Sequence, residues 1–411
     1  MTPGAVDDAI ADAHRHEWAR IVAGLTRRFG DLDTAEEAAA EAFAVAVERW
    51  AVDGIPANPG GWLTTTATRK AIDRLRREAR REQKYQEAQA LYADHAPAQT
   101  GAIDDDRLRL IFTCCHPALA AEARTALTLR MVGGLTVPEI ANAFLVQESA
   151  MARRITRAKA KLRANHVPYR VPSTQDLPER LDGVLTVLFL VFNEGYLASA
   201  GDHEPVRVEL TDQAIRLTRL IHDLLPDDGE VIGLLALMLL TEARRPARVT
   251  AHGELVTLGE QDRSLWDREL IDEGHRLVRG RLAAVAAGGT APGRFQLLAA
   301  INAVHTFARR ASDTDWFQVV ALYDRLSRID PSAVVALNRA VAVAELDGPE
   351  VGLALVDELP LDGYHPFHAT RAELLRRAGR VTEARAAYTR AIAAAGNSAE
   401  SAYLRRRRDE L

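Results

Sequence analysis

The chain is poor in cysteine, in aromatic residues and in long apolar runs, and each shortage excludes a class of protein. Its 411 residues include two cysteines, the adjacent Cys114 and Cys115. One such pair builds neither a disulfide framework nor a four-ligand zinc site, so the expected setting is the reducing cytoplasm. Aromatic residues make up 6%, and alanine is abundant, a balance that favours helices over sheets. The longest apolar runs are Val184–Phe192, broken by one Thr, and Val231–Leu240, broken by one Gly. Both are about half the length of a membrane span. The first residues, MTPGAVDDAIADAHRHE, are acidic and lack the apolar core of an export signal. The twelve histidines show no HExxH or other metal-ligand spacing. His365 and His368, three residues apart, read as packing residues. There is no P-loop, GxSxG or Rossmann glycine pattern. No catalytic residue, metal or cofactor is expected, and no membrane partner.

The formal net charge of −5 argues at first against a nucleic-acid partner, but the charge is unevenly spread. Residues 1–170 carry 24 Lys and Arg against 22 Asp and Glu, whereas residues 171–411 carry 28 against 35. Affinity for a phosphate backbone depends on local cation density rather than on the total.

Helical periodicity runs through nearly every segment. A first helix spans about Val6 to Phe29 and stops at Gly30-Asp31. Thr34 and Glu37 have the spacing of a capping box that starts a second helix, with Phe43, Val47 and Trp50 as its inward stripe. The segment DGIPANPGG (53–61) is a loop, and a third helix runs from Trp62 to about Arg81. A polar linker follows. A second helical unit extends from Arg107 to about Arg163 and ends in the proline-rich ANHVPYRVPSTQDLP. Beyond it, RVTAHGELVTLGEQDRSLW (248–266) reads as a hairpin or an ordered loop, and AAGGTAPG (286–293) as a boundary. In the last region Tyr323 and Tyr388 sit in similar settings 65 residues apart, and LNRAVAVAELDG and ATRAELLRRAG align with an Arg-Ala offset of 32. That period resembles tetratricopeptide repeats; the alternative is an irregular antiparallel helix array.

Two helices concentrate positive charge. Residues 62–84 hold eight basic residues against three acidic. Lys70, Arg74, Arg77 and Arg81 form one stripe, and Leu63, Ala67, Ala71 and Leu75 another that can pack inward. Such a helix suits a phosphate backbone or is simply a solvated basic face. The second, TVPEIANAFLVQESAMARRITRAKAKLR (136–163), reads as helix-turn-helix. Thr136 and Glu139 make a capping box with Pro138 in the first turn. Met151, Ile155, Ala158 and Leu162 face inward; Arg153, Arg157 and Lys161 face out. Residues 149–163 contain six basic and no acidic residues. A helix of this kind fits the major groove, although the turn has Leu145 where Gly is usual, and a plain helical hairpin remains the alternative.

A three-helix unit with a cationic third helix, a linker and then a helix-turn-helix resembles regions 2 and 4 of the extracytoplasmic-function (ECF) sigma factors. The segments carrying the resemblance are AEEAAAEAFAVAVERW, NPGGWLTTTATRKAIDRLRRE and VPEIANAFLVQESAMARRITRAKAKLR. The continuation VPYRVP and LPERLDGVLTVLFLVFNEGY resembles a C-terminally extended subgroup with a helical, tetratricopeptide-like extension. The resemblance implies an all-α fold. Its domains are region 2 over 1–84 (core polymerase and −10 binding), a linker over 85–105, region 4 over 106–168 (−35 binding), a helical middle domain over 178–290 and a repeat domain over 291–411. It implies core RNA polymerase and promoter DNA as partners and a factor that is not an enzyme.

Carried onto this sequence, the resemblance assigns −10 recognition to Trp62, Arg69, Lys70, Arg74 and Arg77. Trp62 either packs in the core or meets a base. Thr68-Arg69 replaces the family's usual Arg-Asn, and Asp73 is expected to buttress Arg77 or Lys70. Recognition of −35 falls to Ser149, Ala152, Arg153, Thr156, Arg157 and Lys161. Ala152 replaces a frequent Arg, which shifts specificity onto Arg153 and Arg157. Glu37, Glu41 and Glu48 are the candidate polymerase contacts. FNEGY (192–196) is expected to form a buried turn with Asn193 and Glu194 bonding backbone. The acidic extension is expected to act in cis, through an intramolecular contact with the sigma domains. The alternative is a DNA-binding regulator or tetratricopeptide-type scaffold that works without core polymerase.

Overall fold

The computed structural model describes residues 3–86, 105–144, 146–197, 206–250, 254–395 and 398–411. The expected linker over 85–105 lies almost wholly outside them. Among the described residues there are eighteen α-helices and no strand. The chain forms two compact units, Met1–Leu190 and Val191–Leu411.

The first unit starts with α1 (Pro3–Phe29), α2 (Leu32–Asp53) and α3 (Pro59–Gln86). Gly30 ends α1 in the left-handed region, φ +71°, where a side chain would be strained. The cap of α2 corrects the sequence expectation. Asp31, not Thr34, is the N-cap, and its carboxylate accepts from the Thr34 amide at 2.8 Å and the Thr34 hydroxyl at 2.7 Å. An ionised Asp satisfies the free N–H and adds a negative charge at the helix N-terminus, which a Thr hydroxyl does not. Buried alanines 35, 38, 39, 42 and 46 let α1 and α3 approach α2 closely, around Trp18, Phe43 and Trp50. Val47 is a second correction, being 53% exposed. The inward stripe runs Ala39, Ala42, Phe43, Ala46 and Trp50, which leaves Val47 on its flank. On α3, Leu63, Ala67 and Ala71 are buried as expected, while Leu75 is 37% exposed.

The rest of this unit comprises α4 (Asp106–Cys114), α5 (Ala121–Met131), α6 (Val137–Ala143), α7 (Glu148–Ala164) and α8 (Leu177–Tyr196), the last running through the division between units. The α6 capping box forms: the Thr136 amide donates to Glu139 at 2.6 Å and the Glu139 amide to the Thr136 hydroxyl at 3.3 Å. Ile140, Ala141, Met151, Ile155, Ala158 and Leu162 are all buried. Both cysteines are buried free thiols.

The second unit contains α9 (Val208–Leu224), α10 (Gly229–Glu242), α11 (Arg268–Ala286), α12 (Arg294–Phe307) and the pairs α13 (Trp316–Ile329) with α14 (Ala333–Asp347), α15 (Pro349–Asp357) with α16 (His365–Arg377), and α17 (Val381–Ala394) with α18 (Ser398–Asp409). Helix α10 is apolar on nearly all sides because α9, α11 and α12 surround it. It packs on α12 across the Gly-rich 286–293 connection, so that connection joins helices of one compact unit. Within the segment expected as a hairpin or ordered loop, Val249 and Leu255 form an isolated antiparallel bridge, a 3₁₀ turn follows at Arg263–Leu265, and Trp266 is buried; residues 251–253 lie outside the described residues.

The repeat is visible in chemistry as well as spacing. Arg339 of α14 donates to Asp324 of α13 at 2.7 Å, and Arg371 of α16 to Asp357 of α15 at 2.6 Å. The following alanines, Ala340 and Ala372, are both buried. FNEGY departs from expectation, because it is the last turn of α8 rather than a turn in a loop. Glu194 pairs with Arg207 at 3.3 Å. A Cβ on Gly195 would lie 2.7 Å from the Thr211 amide nitrogen, so only glycine lets this turn meet the start of α9.

Candidate nucleic-acid interface

Helix α7 separates its side chains cleanly. Its apolar stripe is buried, and Ser149, Arg153, Thr156, Arg157 and Lys161 are exposed, with Ala152 half-buried beside them. Arg157 is steadied by an Nε bond to the Arg153 carbonyl at 3.2 Å. The exposed residues therefore share one continuous face with donors one and two turns apart, the geometry that a duplex groove accepts.

On α3, Arg69 and Arg77 are exposed. Arg77 Nε reaches the Asp73 carbonyl oxygen at 3.4 Å, so the contact with Asp73 is to its backbone rather than to its carboxylate. Trp62 sits edge-on to the buried Trp50, ring centroids 5.7 Å apart, and is itself partly exposed. It thus belongs to the rim of the core and still presents ring surface. Two expected DNA contacts meet two expected polymerase contacts: Lys70 pairs with Glu41 at 3.3 Å, and Arg74 pairs with Glu37. Glu48 is exposed. Surface pairs of this kind contribute little and exchange readily for another partner. The side chain of Arg81 lies outside the described residues.

Sequence reasoning missed a second use of α7's charge. Lys159 is only 9% exposed and bonds both Glu36 and, at 2.8 Å, Asp33 of α2. Burial alone would pull its ammonium down, but Glu36 and Asp33 outweigh that and hold it above its ordinary value. Arg163 donates to Asp31 and Asp33, each at 2.7 Å. Arg130 of α5 donates to Glu36 at 2.5 Å and to the Leu135 carbonyl at 2.8 Å. For Asp31, burial pushes its pKa up, yet the bonds from Thr34 and Arg163 bring it below the usual value. Around this cluster the contact is close-packed. Trp18 Nε1 donates to the Met131 carbonyl at 3.1 Å. The Tyr169 hydroxyl lies 3.0 Å from the Ala23 carbonyl and 3.1 Å from that of Asp106. Gly134, at φ +77°, sits where a Cβ would come within 2.6 Å of the His14 ring. The three-helix unit and the helix-turn-helix are thus docked on one another. One sequence signal was available: Lys159 follows Ala158 on the inward side of α7, where a lysine requires a buried carboxylate.

Family comparisons agree with this layout. A sigma-70 region 2 model matches residues 13–81, a sigma-70 region 4 model matches residues 109–162, and a family of unknown function (DUF6596) matches residues 180–282. The ECF RNA polymerase sigma factor SigK of Mycobacterium ulcerans (strain Agy99) is 29% identical, over 38% of this chain and 84% of its own length. The chain belongs to the ECF sigma factors. This sigma factor carries a helical C-terminal extension, and as a family member its partners are core RNA polymerase and promoter DNA. The SigK of Mycobacterium tuberculosis (strain ATCC 25618 / H37Rv) matches at 29% identity over the same 38% of this chain. "Uncharacterized protein R00370" of Rhizobium meliloti (strain 1021) is 43% identical over 99% of this sigma factor and 96% of its own length, so the extension is common to both. No solved structure matches. Among the described residues, no helix is long and apolar enough to cross a membrane.

Proposed function

We propose that this ECF sigma factor reads the −35 element with α7 and the −10 element with α3, works in the cytoplasm without a metal or cofactor, and catalyses no reaction. The proposed division is region 2 over 1–84, linker over 85–105, region 4 over 106–168, and a helical middle part over 178–290 and a repeat part over 291–411 that share one compact unit from Val191 onward. Arg153 and Arg157 bear base selectivity; Ser149, Ala152, Thr156 and Lys161 complete the −35 face. Arg69, Lys70, Arg74 and Arg77 follow the displaced −10 strand, with Trp62 at its edge. Glu37, Glu41 and Glu48 meet polymerase. The Lys70–Glu41 and Arg74–Glu37 pairs then exchange partners, each cation to phosphate and each acid to polymerase.

The observation that carries this reading is the single exposed face of Arg153, Thr156, Arg157 and Lys161 opposite a wholly buried apolar stripe on α7. The test is transcription from a cognate promoter by purified core polymerase with and without this chain. Specific transcripts that disappear with a combined Arg153→Ala, Arg157→Ala variant support it; DNA binding with no transcript sinks it. The acidic extension acts in cis through contact with the sigma domains. Truncation after Tyr196, which leaves α8 whole, is expected to change promoter activity or its response to inducing conditions. An unchanged response removes the extension from regulation.

A further inference from the structure

FNEGY ends at Tyr196, and Tyr196 lines a cleft of about 420 Å³ within the second unit, together with Arg244, Arg248, His365, Glu400 and Tyr403. The Arg248 guanidinium lies over the Tyr196 ring, 3.3 Å from its centroid. Stacking uses the face of a guanidinium, and its N–H donors lie in its plane. Arg244, one helical turn away, is only 8% exposed. It bonds the Asn302 side-chain oxygen at 3.1 Å.

Orphaned donors outnumber orphaned acceptors here, three to one, the acceptor being Gln261 Oε1. Nε of Arg244, Nε of Arg248 and Nε2 of His365 are buried and have no hydrogen-bond partner among the described residues. Glu400 is the one carboxylate in the cleft wall, 3.9 Å from His365 Nδ1. Two guanidiniums against one carboxylate leave a surplus positive charge in a wall that is mostly apolar, with Leu255, Val256, Leu258, Ala369 and Leu404 beside the neutral polar Thr257, Gln261 and Thr370. Burial lowers the Arg248 pKa, and the repulsion of Arg244 lowers it further. Tyr196 and Glu400 offset part of that loss, but a buried cation with an unsatisfied donor is costly, and an anion arriving in the cleft relieves that cost.

We propose that this cleft binds a small organic acid, a single carboxylate on an apolar body. The surplus of one charge suits a monoanion, the aliphatic wall suits an apolar body rather than a bare inorganic ion, and the volume is that of a small-molecule site. Arg248 and Arg244 hold the carboxylate, Tyr196 fixes Arg248, and Glu400 limits affinity by repelling it. This site is independent of promoter recognition, so either can fail alone.

The test uses the full chain, titrated calorimetrically and in thermal unfolding with benzoate, 4-hydroxyphenylacetate and octanoate, each beside its primary amide, and with inorganic phosphate. At least one acid is expected to bind saturably and raise Tm, with its amide and phosphate at least tenfold weaker. Arg248→Gln is expected to weaken binding at least tenfold. Glu400→Gln, which removes the competing carboxylate, is expected to strengthen it several-fold, and it decides the matter if Arg248→Gln does not fold. Absence of binding by all three acids, equal binding of acid and amide, binding of phosphate as tight as that of the acids, or weaker binding by Glu400→Gln overturns the proposal.

Discussion

Arg157 and Lys161 lie one turn apart on the exposed face of α7, yet their chemistry predicts different losses. A guanidinium offers two parallel donors that match a guanine edge, whereas an ammonium is a point charge suited to phosphate. Arg157→Ala is expected to cost about 1–3 kcal/mol of discrimination between cognate and random duplex. Lys161→Ala is expected to weaken both equally and to reduce the salt dependence by about one phosphate contact. Anisotropy titrations across salt concentrations separate them, and equal losses on both duplexes for Arg157→Ala refute its base-reading role. Glu242 makes a prediction about pH. Burial pushes its carboxyl up to about 7, with Asp212 adding to the rise and Arg245 opposing it. The folded chain therefore keeps a proton that the unfolded chain loses near the ordinary value of 4.5. A raised acid destabilises the fold as pH climbs from about 4.5 to 7, by about 3 kcal/mol at 1.36 kcal/mol per unit. Glu242→Gln removes that loss. Its stability advantage over the parent, read by urea unfolding, is expected to be small at pH 4 and to grow through that window. A gap that does not change with pH contradicts it.

At the scale of elements, the helices were legible because an apolar stripe at helical spacing survives any tertiary arrangement, as on α7. What failed was local competition. Asp31 outcompeted Thr34 as a cap because an ionised carboxylate is the stronger acceptor, and Val47 fell off the core stripe because alanines 42 and 46 were small enough to bring neighbouring helices against the backbone. FNEGY continues α8 as its last turn, and Gly195 admits the start of α9, a close approach that periodicity along one helix does not encode. The exposed site residues on α7 were legible for the same reason as its core. The docking of α7 on α2 was not, since Lys159 and Glu36 are 123 residues apart and no periodicity links them. That pair predicts an asymmetry. With Lys159 and Glu36 only 9% and 10% exposed, removing one partner strands a buried charge, so Lys159→Met is expected to cost about 3–5 kcal/mol. Replacing both, Lys159→Met with Glu36→Gln, which keeps an acceptor for Arg130, is expected to recover part of the loss. A double variant as unstable as the sum of the two singles contradicts the coupling.

For the whole molecule, the docked arrangement of regions 2 and 4 conflicts with the length of a promoter. Elements at −10 and −35 lie about 25 base pairs apart, roughly 85 Å along duplex at about 3.4 Å per pair. In the first unit the two regions touch, with Trp18 Nε1 and the Met131 carbonyl 3.1 Å apart. No bending of side chains bridges such a difference, so the Asp31–Asp33–Glu36 cluster must release Arg130, Lys159 and Arg163 before both elements are engaged. Docking then acts as a tax on holoenzyme formation, because apparent affinity is reduced by the fraction of chains that are open. Glu36→Gln, which loosens the cluster while keeping its shape, is expected to bind core polymerase more tightly than the parent. The separation is measurable directly. Cys114 and Cys115 are buried, so spin labels go to new thiols at the exposed positions Arg49→Cys and Ala160→Cys. Dipolar spectroscopy on the free chain is expected to give one short distance, which lengthens by tens of Å once core polymerase is added. A distance that stays short in an active holoenzyme would mean that the docked regions never part, and the account of α3 and α7 reading separate elements would fall with it.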